Sequence, residues 1–125
     1  MKIDYRVLFV VFLFILFDVI TGLIKAWKAG TVNSTKMHEG LINKVAEIAT
    51  IVFGYFCEYA LSIIGVESDI KFGSMIACYI TLMELFSIIE NLGEVYPAVG
   101  KILSVVFEKF KQDDVAKDVE LNEKN

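Results

Sequence analysis

Residues Val7–Trp27 read VLFVVFLFILFDVITGLIKAW, a nearly unbroken apolar run with one carboxylate, Asp18, close to its middle. A run of this length crosses a bilayer as a single helix. The fifteen Val, Leu, Ile and Phe residues from Val7 to Ile24 each favour insertion by about 0.3–0.6 kcal/mol, against a cost of about 3 kcal/mol for one central acid. The stretch therefore inserts in spite of Asp18, and the acid must face another helix or water. The apolar pattern continues past Phe17 through Val19, Ile20, Leu23 and Ile24 with no Ala-x-Ala site after it, so it reads as a retained span and not a cleaved signal.

The rest of the chain has the same character. Its 125 residues are 56% hydrophobic and 13% aromatic, with one proline and a mean hydropathy of +0.60, more apolar than a soluble core of this size needs. The net charge is −4 and the Lys and Arg residues are scattered, which argues against nucleic acid as a partner. Cys57 and Cys78 lie inside apolar stretches without metal-like spacing and read as buried thiols.

After Trp27 comes KAGTVNSTKMHEG, a polar connection with Gly30, Asn33, Ser34 and Gly40 as breakers. Trp27 suits an interfacial anchor, and Lys25 and Lys28 can extend toward headgroups. The next apolar segment, Leu41–Gly65, reads LINKVAEIATIVFGYFCEYALSIIG. On a helix, Glu47, Thr50, Gly54, Glu58, Ser62 and Gly65 share one small and polar face, opposite Ile48, Val52, Tyr55, Phe56, Tyr59 and Ile63. One side suits lipid, the other protein or water. VESDIK, residues 66–71, is a turn, and FGSMIACYITLMELFSIIENL, residues 72–92, repeats the design with Glu84 deep inside.

Gly93 and Pro97 end that helix. From Pro97 to Lys111, Val99, Ile102, Leu103, Val106 and Phe110 fall on one face, which suits an interfacial helix too short to span. The sequence thus predicts an all-α integral membrane protein with spans at about 6–27, 44–65 and 72–92, an amphipathic interfacial helix at about 97–111, and a charged, mobile tail at 112–125. Lys25, Lys28, Lys36 and Lys44 then share a side with the five lysines after the third span, against Lys2, Arg6 and Lys71. By the positive-inside rule the N-terminus is outside and the C-terminus cytoplasmic.

No catalytic set is visible. His38 stands alone in a polar loop without a cysteine or second histidine nearby, so neither a metal nor a cofactor is expected. The informative residues are Asp18, Glu58 and Glu84. They admit three readings: hydrogen-bonded packing residues supported by Thr21, Ser62 or Ser87; water-facing walls of an oligomeric pore; or a proton or cation relay. No span as drawn contains a central Lys or Arg, which disfavours internal pairing.

Asp18-x-x-Thr21-Gly22 at the end of a first span, then a polar loop with Ser34, Gly40 and Lys44, resembles the phage-lysis and toxin-secretion holin family. Glu84-x-x-Ser87-x-x-Glu90-Asn91, followed by Gly93 and Pro97, resembles that family's Ser-x-x-Glu-Asn block and the proline after it. The likeness covers about Phe17 to Leu103, and the order and spacing of the motifs carry it. It implies a non-enzymatic homo-oligomer of the bacterial cytoplasmic membrane that opens lesions for an endolysin or large toxin, without binding that cargo specifically. The slightly acidic tail departs from the basic cluster that ends many holins. The residues expected to serve assembly or the pore are Asp18, Thr21, Gly22, Glu47, Gly54, Glu58, Ser62, Glu84, Ser87, Glu90 and Asn91, with Asp18 an assembly residue. The rival readings are a small ion-coupled transporter or channel subunit using Glu58 and Glu84, and a structural membrane adaptor.

Overall fold

The computed structural model of the chain describes residues 3–125; Lys2, which entered the orientation argument, lies outside them. Four helices follow one another: α1 Tyr5–Ala29, α2 Ser34–Ile64, α3 Phe72–Val95 and α4 Pro97–Glu123. The first three are long and apolar enough to cross a membrane, and as helices they satisfy their backbone groups internally, as hydrocarbon requires.

Local chemistry sets the boundaries. Asp4 caps α1 by accepting from the Arg6 backbone N–H at 3.0 Å. That bond, helped by the Arg6 side chain, holds the Asp4 carboxyl below its ordinary pKa. Gly30 (φ 66°) and Gly65 (φ 83°) end α1 and α2 in the left-handed conformation, where a Cβ would be strained. Asn33 caps α2 by accepting from the Thr35 N–H at 2.9 Å. Hence α2 begins at Ser34, and only Gly30–Asn33 is left as connection. Of the polar run read as a loop from the sequence, residues 34–40 are the first part of a 31-residue helix, and Lys44 lies inside that helix. Tyr96 is extended and Pro97 opens α4 at its first turn, where the missing N–H costs nothing.

Helix α3 is the common partner, packing against α1, α2 and α4. The buried apolar residues are Val11 and Ile15 of α1, Ile51 and Tyr55 of α2, and Ala77 and Ile80 of α3. Tyr55, expected on the lipid side, is 3% exposed because its ring lies over Gly73; a Cβ there would sit 2.5 Å from the ring. Gly54 likewise lets α2 approach the Gly73 backbone, since its own Cβ would lie 3.1 Å from the Gly73 Cα. Outside this small core the surface of the spans is mostly apolar, with Phe9, Phe12, Phe17, Val52, Phe53, Met75 and Leu82 all exposed. This is the pattern of helices whose outer faces meet lipid tails.

Helix α4 turns back along α3. Gly93 and Gly100 meet at the turn, and the Phe86 and Phe107 rings stack obliquely with centroids 5.5 Å apart. Val99, Leu103 and Phe107 are partly covered, while Ile102, Val106 and Phe110, expected on the same face as Val99, are exposed. The helix runs on to Glu123, where the sequence suggested a mobile tail, because nothing between Lys111 and Glu123 breaks it. The thiols are free; Cys57 is half-buried and Cys78 exposed, so the expected burial fails for Cys78.

Candidate functional site

A polar cluster crosses the bundle beside the apolar core, and Lys44 is its centre. Its ammonium lies 2.7 Å from Asp18 Oδ2 of α1 and donates to both Glu84 oxygens of α3 at 2.6 and 2.7 Å. Glu47, one turn along α2, is at 3.6 Å. The Lys44 and Glu84 side chains are only 15% and 4% exposed. Short, charge-assisted bonds are what make such burial tolerable.

The next layer joins α1 to α3 directly. Asn91 Nδ2 donates to Asp18 Oδ1 and Thr21 Oγ1, both at 3.2 Å. Thr21 in turn donates back to the Phe17 carbonyl at 2.8 Å, and Gly22 lies beside the amide, which an added Cβ would meet at an ordinary contact distance of 3.6 Å. Beyond that, Lys25 pairs with Glu94 at 3.1 Å and Lys28 donates to the Val95 carbonyl at 2.6 Å. Both lysines therefore tie α1 to the end of α3, where the sequence had them extending to headgroups.

Depth follows from position along the helices. At 1.5 Å per residue, Asp18 has roughly 16–20 Å of helix on either side, as does Glu84, so the cluster lies near the middle of both spans. The first half of α2 is held there by little else. From Leu41 to Thr50 only Lys44 and Glu47 are partly covered, and the first buried residue is Ile51.

Of the residues expected from sequence, Asp18, Thr21, Gly22, Glu47, Glu84 and Asn91 converge on this cluster. Gly54 serves the approach of α2 to α3. Glu58 does something different: it accepts from the Gly73 N–H at 2.8 Å, supplying the cap that Lys71 does not give α3. Glu84 lies eleven positions beyond Gly73 along α3, roughly 16 Å of helix, so Glu58 lies toward a span end and shares no ion site with Glu84. Ser62 is exposed and lines an open cleft of about 750 Å³ with Arg6, Glu58 and Lys71. Ser87 is partly covered and Glu90 exposed; neither reaches the cluster.

Lys44 is the residue that the sequence reading missed as a partner of the acids. The expectation that they lacked an internal base is overturned by its bonds to Asp18 and Glu84. A signal was present: Lys44, Glu47, Ile51, Gly54 and Glu58 follow at steps of three and four, extending the polar face back by one turn. The breakers before it hid the helix. Even so, three carboxylates surround one ammonium, and Glu47 Oε2 is buried without a hydrogen-bond partner among the described residues. Among the described residues no group of His, Cys, Asp and Glu is placed to hold a metal ion.

These features define a class: a small all-helical, multi-pass membrane protein with an ionic cluster at mid-span. A family model described as the bacteriophage holin family matches residues 3–112, and the chain belongs to that family. Neither the curated proteins nor the solved structures give a significant match.

Proposed function

We propose that the chain oligomerises in the bacterial cytoplasmic membrane, N-terminus outside and C-terminus cytoplasmic, and opens a non-selective pore that releases an endolysin or a large protein toxin. Besides the family, the observation that carries this reading is the excess of acid over base at mid-span. Among the described residues Asp18, Glu47 and Glu84 share Lys44 alone, so the closed bundle hides charge that water would stabilise. While copies are dilute, Lys44 holds the acids inside. In a dense array α2 leaves the cluster and the acids turn to a shared aqueous lumen. Each protomer then gains the hydration of several groups, which makes opening abrupt when summed over a ring. The distance between Glu58, on the Gly73 N–H, and Glu84 favours this reading over a transporter that would bind its ion between them.

Inducible expression in bacteria, with membrane potential and the escape of a co-expressed endolysin followed together, tests the proposal. Collapse of the potential together with enzyme release is expected. Collapse without release would make the protein a channel, and neither effect would make it an adaptor.

A further inference from the structure

The lipid-facing sides of α1 and α2 are not alike. On α1, the exposed residues within the span are Phe9, Val10, Phe12, Leu16, Phe17, Ile20, Leu23 and Ile24. All are apolar. On α2, Asn43 is exposed in the same turn as Lys44, hence at the depth of Asp18 and Glu84. Among the described residues the side-chain hydrogen bonds of this half of α2 are those of Asn33 to Thr35, of Lys44, and of Thr50; none involves Asn43. An amide at mid-bilayer without a partner is costly, and helices relieve the cost by bonding to one another.

The residues around it permit close approach. Ala46 and Thr50 follow Asn43 at helical spacing and are exposed with it. Thr50 adds no further demand, because its hydroxyl donates to the Ala46 carbonyl at 2.7 Å. This seam lies beside the inward face of Lys44, Glu47, Ile51 and Gly54, and well away from Val45, Ile48 and Val52. A small seam with one unmet amide is how spans pack against each other.

We propose that Asn43, Ala46 and Thr50 form the face by which α2 meets α2 of a second copy of this chain. The chemistry selects that occupant. A carboxamide is both donor and acceptor and so complements itself. Copies inserted in the same direction carry Asn43 at the same depth, so the two amides meet across a two-fold axis. The same seam places Lys44 close to the contact. Pairing of copies and release of the Lys44 cluster are thereby coupled through one helix. The inference deepens the pore reading by naming its assembly face, and depends on it only for copies sharing one orientation.

Single cysteines introduced in the full chain carrying Cys57→Ser and Cys78→Ser test the face by oxidative cross-linking in native membranes. Disulfide-linked dimers are expected for Asn43→Cys, Ala46→Cys and Thr50→Cys, and at most traces for Val45→Cys, Ile48→Cys and Val52→Cys. Adding Asn43→Leu to Ala46→Cys should weaken association about three- to thirtyfold, the range for one interhelical hydrogen bond in a membrane. Leucine inserts well, and Asn43 is exposed in the monomer with no side-chain hydrogen bond among the described residues, so folding is not at stake. Equal cross-linking on both sets, no effect of Asn43→Leu, or labelling of Asn43→Cys by a membrane-impermeant maleimide without dimers would overturn the proposal. Endolysin retention alongside the expected pattern would count against the pore reading and leave the face standing.

Discussion

Lys44 carries a full charge to mid-span, where Asp18 and Glu84 accept from it at 2.7 and 2.6 Å. Removing one partner of a buried ion pair leaves the other uncompensated, at about 3–5 kcal/mol. Lys44→Met is therefore expected to lower the thermal stability of the detergent-solubilised protein by that order, with Lys44→Arg recovering most of it. Glu84→Gln should cost less, because Asp18 still faces the ammonium. Equal losses in Lys44→Met and Glu84→Gln would contradict a hub built on one base. The glycines provide a second contrast. Gly73→Ala drives a methyl to within 2.5 Å of the Tyr55 ring and should destabilise by about 1–3 kcal/mol through overpacking. Gly40→Ala meets nothing within 4 Å in a helical stretch, and should stabilise by about 1 kcal/mol from helix propensity. Paired melting curves read both.

Helix α2 has two halves with different attachments. From Ile51 onward it is packed, through Tyr55 over Gly73 and Glu58 on the Gly73 N–H; before Ile51 it depends on Lys44 and Glu47. The first half should therefore open more readily. Hydrogen exchange of the reconstituted protein is expected to become faster over residues 41–50 than over 51–60 in Lys44→Met, and exchange speeding equally in both halves would refute the division. Glu58→Gln should act elsewhere, loosening the first turn of α3 by about 1 kcal/mol as a weakened cap. Its exchange signature belongs at residues 72–75. Lysis timing at equal membrane abundance should change with Glu84→Gln and not with Glu58→Gln, which separates the mid-span acid from the capping one.

At the scale of the molecule, the bundle divides into an apolar core, the Lys44 cluster, and the Asn91 layer, with α3 touching every other helix. The division accounts for the motif order that the sequence shares with holins. Asp18, Thr21 and Gly22 meet Asn91 of the last motif, and Lys44 of the middle one joins Asp18 to Glu84. Fragments that look unrelated along the chain are three walls of one site. For topology, reporters fused at Ser34 and Asn125 should both read as cytoplasmic, and opposite readings at the two positions would refute an odd number of spans.

Sequence by itself determined the all-helical class, the three long apolar helices, Asp18 and Glu84 at mid-span and the likeness to holins. These depend on length, hydropathy and local spacing, all of which are written along a single segment. Helix α4 was legible to Lys111 for the same reason. Only the tertiary structure decided what the acids face. Asp18 and Glu84 are separated by about half the chain, and whether they stand against Lys44 depends on the register of α2, fixed by an Asn33 cap and by the approach of Gly54 to Gly73. The same register sets Glu58 against the Gly73 N–H as a cap on α3. The Val7–Trp27 span specifies its own insertion, because transfer into lipid is a property of one helix. The partner of its central acid is a property of three.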